Sequence, residues 1–535
     1  MTSPHGSLRP ASVQPRLLGD LADAVAGTVD PGARALTVTG VVLGSADVLP
    51  GDLFVAVPGA RSHGARFAPA AVASGAVAVL TDAAGLALLE STEDGLAVVR
   101  STPVVLLPAD ADPQRAPGAA ASWFYDHPSQ ALTSFGVTGT NGKTTTTYLL
   151  DHLLTALGRT VGLVGTVETR SGTRVLPSRL TTPDAATLQG VLATMREDGV
   201  DVLAMEVSSH SISQRRVDGL HFDVVGFTNL SQDHLDFHGD LDRYFAAKAE
   251  LFTAERARRG VVVVDDEWGR RLAETADIPT VTLSVEHRGG PASDWTVRDV
   301  HAGTSGSTFT VEHQDGRRLR ARTALPGGFN VANAALALVM VVESGVEVGT
   351  VTAALDAVGG LSPAVPGRME QVSDSPRVVV DFAHNPDALA LALAALRPTT
   401  TGRLVVVFGA TGERDTSKRP IMGRVAVEGA DVVVVTDDDP HGEPAEGIRD
   451  QVLEGARQAA AQPGCDVDVL DAAPRALAIR AAILAADDED TVLVAGRGHE
   501  VWQEIDGVDH PLDDRVEARE AVAARAQRTT KEHSE

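Results

Sequence analysis

Cys465 is the only cysteine in this chain of 535 residues. A single thiol excludes an intrachain disulfide framework and leaves no cysteine cluster for a metal, so a cytoplasmic setting is expected. Basic residues are short as well: 46 Lys and Arg stand against 72 Asp and Glu, a formal net charge of -26. Such a balance repels nucleic acid and anionic lipid, which removes both as expected partners. A nucleotide remains possible, because its phosphates need only a local group of cations, backbone N–H groups and Mg2+. No apolar run approaches the roughly 18 residues a membrane span requires. The longest, Ala334 to Val342, stops at Glu343. The opening MTSPHGSLRP lacks the apolar core of a secretory signal. No internal repeat or extended low-complexity segment is present. The expectation is a monomer acting on small molecules.

What the chain does contain is 43% hydrophobic residues and 51 glycines, the make-up of a globular α/β protein. At this length one core is exceeded, and two to four domains are expected.

The stretch Gly136-Val137-Thr138-Gly139-Thr140-Asn141-Gly142-Lys143-Thr144-Thr145 is where chemistry is expected. An apolar lead-in to Phe135 predicts a buried strand, and Thr145 through Leu154 predict a helix. Strand, glycine loop and helix are the context of a phosphate-binding loop. Glycines let successive N–H groups point at one anion, and the helix start favours negative charge. Lys143 then reaches the terminal phosphates, and the Thr144 hydroxyl sits on Mg2+. An ordinary glycine-rich turn is the plainer alternative, but it has no need of adjacent Gly, Lys and Thr at a strand-to-helix junction. The common form asks for glycine at position 137; here that is Val, with glycines at 136 and 139 instead.

In chain order, residues 1 to about 14 are polar and are expected to be loose. A small α/β domain, 1–128, follows, closed by a helix over Ala119 to Tyr125. The central domain, 129–360, alternates strands and helices, which predicts a mainly parallel, doubly wound sheet with its ligands at the carboxyl ends of strands. Glu206 stands at one such end, after Val202-Leu203-Ala204-Met205, and can supply a carboxylate to a metal beside Thr144. His234 follows the strand DVVGF, where an isolated loop histidine is more often structural. Lys248, on a helix from Tyr244 to Phe252, reads on its own as a solvated residue. From Leu361 a second doubly wound, Rossmann-like domain is expected, 361–535, with five strands and a hinge near Ser362 to Pro366.

The loop variant GVTGTNGKT, taken with LTTPD (180–184), MEVSSH (205–210), DFAHNPDAL (381–389) and GRGHE (496–500), resembles the Mur ligase family. The motifs stand in family order across nearly the whole chain. The resemblance implies three α/β domains: an N-terminal one for a uridine nucleotide, a central ATPase and a C-terminal one for an amino acid. It implies ATP and Mg2+ as cofactors, and an amide ligase that extends the D-Glu γ-carboxylate of UDP-N-acetylmuramoyl-L-alanyl-D-glutamate through an acyl phosphate. Lys143, Glu206, His234 and Lys248 become catalytic. Lys248 is carbamylated and shares a second metal with His234, while Thr144 and Glu206 hold the first.

Residue by residue, the resemblance assigns ATP to Gly139, Thr140, Asn141, Gly142, Lys143, Thr144, Thr145, Asn330, Arg368, His384, Asn385 and Asp387. It assigns the muramoyl dipeptide to Ser45, Thr181, Thr182, Ser208, Gln214 and Arg216. The N-terminal domain departs from the family's Asp-Ser-Arg by reading Gly44-Ser45-Ala46. For Arg216 and Arg368, a surface salt bridge is the alternative.

The amino-acid site falls on Arg414, Asp438, Asp439, His441, Gly496 and Glu500. Family members that take meso-diaminopimelate read Asp-Asn-Pro-Arg where this chain reads Asp438-Asp439-Pro440-His441. The guanidinium fork that suits a distal carboxylate is gone, and Asp439 adds negative charge. L-Lysine or L-ornithine is therefore expected over diaminopimelate. Rivals are another ligase of the superfamily, such as a muramoyl-pentapeptide ligase or a folylpolyglutamate synthetase, and a nucleotide-gated binding or transport ATPase.

Overall fold

The computed structural model describes residues 9–59, 62–176, 181–285, 292–303 and 306–532. Leu180, the first residue of the LTTPD turn, lies outside them, as does the start of the N-terminal tail. The described part of that tail corrects the expectation of looseness. Arg9 forks onto Asp52 at 2.8 and 2.7 Å, and the N–H groups of Ala11 and Ser12 donate to the Glu197 carboxylate.

The N-terminal sheet has four parallel strands, Gly40–Val42, Asp52–Ala56, Ala78–Thr81 and Val104–Leu106, in chain order. The helix Ala116–Phe124 packs on it, a little longer than expected.

The central sheet runs to 11 strands. Its parallel heart places Thr133–Thr138 between Val202–Glu206 and Val224–Phe227. Val161–Val164 lies beyond the former, and Gly260–Val263 and Thr280–Val285 beyond the latter. These strands are apolar and buried because helices cover both faces. The first strand thus sits at the point where successive crossovers part to opposite sides, which opens a crevice at its carboxyl end. The apolar run noted in the sequence is the buried helix Gly328–Glu343, packed on the helix Lys143–Ala156.

An antiparallel meander, Trp295–Gly303, Gly306–His313 and Arg318–Thr323, extends the sheet on one side, and the short hairpin Thr169–Ser171/Arg174–Leu176 extends it on the other. Neither was anticipated. The meander strands alternate buried and exposed residues, a half-solvated pattern unlike the continuous valine runs of the parallel strands.

The C-terminal sheet has six strands rather than five. The order is Glu370–Asp374, Arg377–Asp381, Thr491–Ala495, Leu404–Phe408, Val432–Val435, Asp468–Asp471. The additional one, Glu370–Asp374, is an antiparallel edge strand of polar sequence that carries no strand signal of its own. A separate hairpin, Trp502–Ile505/Val508–Pro511, follows the last parallel strand. Among the described residues, no helix is long and apolar enough to cross a membrane.

Candidate active site

The loop after Thr133–Thr138 turns on two glycines. Gly139 and Gly142 have φ of +147° and +89°, and a Cβ would stand 1.9 Å from Thr228 Oγ1 at the first and 2.4 Å from Asn333 Oδ1 at the second. The helix then begins at Lys143, two residues earlier than expected, so the unpaired N–H groups of its first turn lie at the loop itself.

Lys143 Nζ donates back to the carbonyls of Gly139 and Thr140, at 3.0 and 2.8 Å. Lys248 Nζ donates to the same Gly139 carbonyl at 2.7 Å and lies 4.4 Å from the centre of the Tyr244 ring. Far from being a solvated residue, Lys248 is 1% exposed. Burial, and then the neighbouring Lys143 cation, hold its amine well below the usual lysine range, with Asp233 opposing. Burial also lowers Lys143, against the pull of Glu206 and Asp233.

Glu206 is buried at the end of its strand and gathers donors. Thr144 Oγ1 reaches it at 2.9 Å, Thr166 N at 2.8 Å and Thr166 Oγ1 at 3.1 Å. Thr166 also donates to Thr181 Oγ1 at 3.0 Å, Thr182 bonds the Glu206 carbonyl, and Arg216 bridges the Thr182 carbonyl and Gln214 Oε1. Ser208 caps the short helix that follows Glu206. The residues expected to grip the muramoyl dipeptide therefore lie together beside Glu206, except for Ser45, which stands on the turn Ser45–Asp47 of the N-terminal sheet.

His234 adopts φ +54° ahead of the helix Leu235–His238, with Asp233 Oδ1 3.6 Å from its Nδ1. Its ring packs edge-on to His210 and Tyr244, and burial there keeps the imidazole neutral. Among the described residues, no three His, Cys, Asp or Glu gather as a metal cage. Thr144 Oγ1 and the Glu206 carboxylate are oxygen donors of the kind Mg2+ would use, an ion that keeps much of its water and takes one or two carboxylates.

The C-terminal sheet reaches over the loop. Asn385 donates to Asn141 Oδ1 at 3.2 Å, and Asn141 donates to Asp387 at 3.4 Å. Arg368 lies 4.1 Å from the centre of the Phe382 ring and donates to Thr144 Oγ1 at 3.4 Å. It is no surface salt bridge; burial weakens its charge while Asp381 and Glu206 favour it. Thr140 through Thr145, Glu206, Asn330, Arg368 and His384 line one cavity. Asn330 is itself buried, fastened to the Pro326 carbonyl and to Asn333.

A second cavity is lined by all six residues expected at the amino-acid site, Arg414, Asp438, Asp439, His441, Gly496 and Glu500, together with Asp233 and His234. Phe382 and His384 line both cavities, so the two adjoin. Burial and Asp438 push the Glu500 carboxyl up to about 8. Asp438 Oδ2 is buried without a hydrogen-bond partner among the described residues. One expectation needs correction. Asp439 does not offer a free charge to the cavity, because the fully buried Arg497 clamps it.

Sequence reasoning missed Thr166, Asp233, Phe382 and His499. Thr166 and Asp233 follow the carboxyl ends of parallel strands, a signal that could have found them. His499 accepts from Arg368 at 3.4 Å and faces the Thr166 backbone, contacts between segments far apart in the chain.

Comparison with known proteins agrees with this geometry. Residues 37–106 match the Mur ligase family catalytic domain, 137–341 the Mur ligase middle domain and 367–498 the Mur ligase glutamate ligase domain. The chain is 46% identical over 525 residues to the UDP-N-acetylmuramyl-tripeptide synthetase of Leifsonia xyli subsp. xyli, covering 98% of this chain and 99% of that one. It is 45% identical over 524 residues to the UDP-N-acetylmuramoyl-L-alanyl-D-glutamate–2,6-diaminopimelate ligase of Streptomyces avermitilis, with the same coverage. A solved structure of a UDP-N-acetylmuramoyl-L-alanyl-D-glutamate–2,6-diaminopimelate ligase superposes with a TM-score of 0.63 at 29% identity, over 96% of this chain and 100% of that one.

Proposed function

Because the chain belongs to the Mur ligase family of ATP-dependent, ADP-forming amide-bond ligases of peptidoglycan synthesis, we propose that it adds the third residue of the stem peptide, and that this residue is L-lysine or L-ornithine. In this proposal residues 1–128 hold the uridine nucleotide, 129–360 hold ATP, and 361–535 hold the amino acid. The observation that carries it is the adjoining of the two cavities. The cavity at the phosphate loop and the acid-lined cavity meet across His384 and Phe382, which supports a phosphoryl acceptor attacked by an amine.

Lys143 leaves the loop carbonyls to meet the β- and γ-phosphates, and Arg368 neutralises charge on the transferring group from the opposite side. The γ-phosphoryl passes to a D-Glu γ-carboxylate oxygen as its bond to ADP breaks. The amine then attacks the acyl carbon, loses a proton and expels phosphate. Thr144 and Glu206 fit one Mg2+ through oxygen donors, and His234 with a carbamylated Lys248 fits a second. When bound, the ions supply charge neutralisation at the phosphoryl oxygens.

Lys143 and Lys248 share one acceptor, the Gly139 carbonyl, which supports the carbamylation. Two ammonium groups there repel each other, whereas a neutral Lys248 amine that adds CO2 and sheds a proton becomes an anion drawn to Lys143.

For the acceptor, the support is His441 in place of an arginine and the buried Asp438 carboxylate in the cavity. Relatives named as diaminopimelate ligases at comparable identity make this the point to test. ADP release is measured with the UDP-muramoyl dipeptide and each of L-lysine, L-ornithine and meso-diaminopimelate, followed by product mass. Lysine or ornithine is expected to give the highest turnover. Faster turnover with diaminopimelate rejects the acceptor, and ADP formation that needs no amino acid rejects the ligation.

A further inference from the structure

The hairpin Trp502–Ile505/Val508–Pro511 belongs to neither large sheet, yet it is stitched along the loop Asp438–His441. Gln503 Nε2 donates to the Asp438 carbonyl at 2.6 Å, and Glu504 N donates to Asp439 Oδ1 at 3.2 Å. His441 N donates to the Glu504 carbonyl at 3.2 Å, and Asp506 N donates to the His441 carbonyl at 2.8 Å. Arg497 fastens the far side, reaching both Asp439 and the Trp502 carbonyl. So held, His441 takes φ +50°, lines the amino-acid cavity and sets its Nδ1 2.9 Å from Glu504 Oε2, with the two side chains 16% and 40% exposed.

The consequence is one of local charge. Without Glu504, His441 would join Arg414 and Lys418 among the basic residues of the cavity lining at which a distal carboxylate could settle. With Glu504 bonded to His441, the histidine is engaged and a carboxylate stands behind it. A group arriving at His441 feels the Glu504 charge behind the imidazole, while the buried Asp438 Oδ2, without a hydrogen-bond partner among the described residues, belongs to a residue of the cavity lining itself.

We propose that Glu504 is a specificity-determining residue of the amino-acid site, which favours a distal ammonium and repels a distal carboxylate by pairing with His441 at the cavity rim. The hairpin is then the device that fixes this choice. The inference rests on the acceptor being a diamino acid without a second carboxylate.

The test is steady-state ligation by wild type, E504Q and E504D, with the UDP-muramoyl dipeptide, ATP, Mg2+ and each of L-lysine, L-ornithine and meso-diaminopimelate. E504Q is expected to raise KM for lysine or ornithine about fivefold, the upper range for a partly exposed charge pair. It should leave KM for ATP unchanged and improve diaminopimelate relative to lysine. E504D, which keeps the charge, should stay close to wild type and keeps the question open to experiment if E504Q folds poorly. A lysine-to-diaminopimelate ratio unchanged in E504Q, or one that E504D shifts as far as E504Q does, overturns the role of Glu504 and leaves the acceptor standing. A wild-type preference for diaminopimelate overturns the acceptor itself, before any variant is compared.

Discussion

The two cavities that meet at His384 are built in opposite ways. Around the phosphate loop, the determinants are local and largely backbone: two glycines with positive φ, a helix that starts at once, and a lysine that folds onto its own loop. Around the amino-acid cavity they are distant and largely side chain. Asp439 finds Arg497 across 58 positions, and Arg475, itself fully buried, donates to the carbonyls of Asp437 and Ala495 while pairing with Asp514. The difference teaches where change is tolerated. A backbone cradle accepts any nucleoside triphosphate geometry that fits and has few residues to vary. A side-chain cavity can be retuned by a single exchange, and it is there that this chain departs from the Asp-Asn-Pro-Arg pattern.

The largest effect should come from the local cradle. Lys143→Met removes the cation proposed to meet the developing phosphoryl charge and is expected to lower kcat by about 10^3-fold. Lys248→Met should approach that loss. Native mass spectrometry at raised bicarbonate is then expected to show a labile increment of one CO2 on the wild type and none on Lys248→Met. Equal increments on both proteins would place the modification elsewhere.

A smaller effect is expected where the C-terminal sheet reaches the cradle. Arg368 touches Thr144 Oγ1 and is steadied by Phe382 and by His499, whose neutral ring must accept from the guanidinium. Burial and the Arg368 charge keep that imidazole down to about 3, so it is an acceptor throughout the neutral range. His499→Ala should lower kcat about tenfold, one charge-assisted hydrogen bond's worth, while KM for the amino acid changes little. His499→Asn, which can put an amide oxygen near the place of Nδ1, should recover part of the rate. If both variants fall equally in kcat and in every KM, the ring has only a structural role.

This contrast also explains how much was legible in the sequence. The phosphate loop, the strand-end position of Glu206 and the parallel strands could be read because each is a local pattern whose meaning is set within ten residues or so. The assignment of Thr181, Thr182 and Arg216 to one ligand came only from family resemblance, since nothing within those residues specifies it. Lys248 was the sharpest failure of local reading. A lysine on a helix is ordinarily solvated even with Ala246, Ala247 and Ala249 beside it, and only the fold reveals that Tyr244 and the Gly139 carbonyl enclose its amine. Asp439 was misjudged for the converse reason: its charge is neutralised by an arginine whose arrival in the same place depends on the order of strands in the C-terminal sheet. The polar edge strand Glu370–Asp374 and the half-solvated meander were invisible because neither carries the apolar run that marks a covered strand.

The finest test of the contrast lies in pH, which the backbone cradle should hardly register and the side-chain cavity should. Glu500 is raised to about 8 by burial and by Asp438, so in the empty site it is mostly protonated at neutral pH. A protonated carboxyl cannot pair with an ammonium, and kcat/KM for the amino acid should therefore climb as pH rises through about 8, reporting ionisation in the free enzyme. The raised value also means that folding favours the protonated form: its contribution to stability is complete below the ordinary carboxyl range and is lost as pH rises through about 8. Glu500→Gln should flatten the limb in kcat/KM for lysine or ornithine, leave kcat/KM for ATP with its wild-type profile, and make the melting temperature less sensitive to pH between the ordinary carboxyl range and about 8. The deprotonation of the attacking amine contributes a rise of its own in the same direction, but that rise belongs to the substrate and survives in the variant. The difference between the two profiles thus isolates Glu500, and superimposable profiles would show that its carboxyl is already ionised when the amino acid arrives.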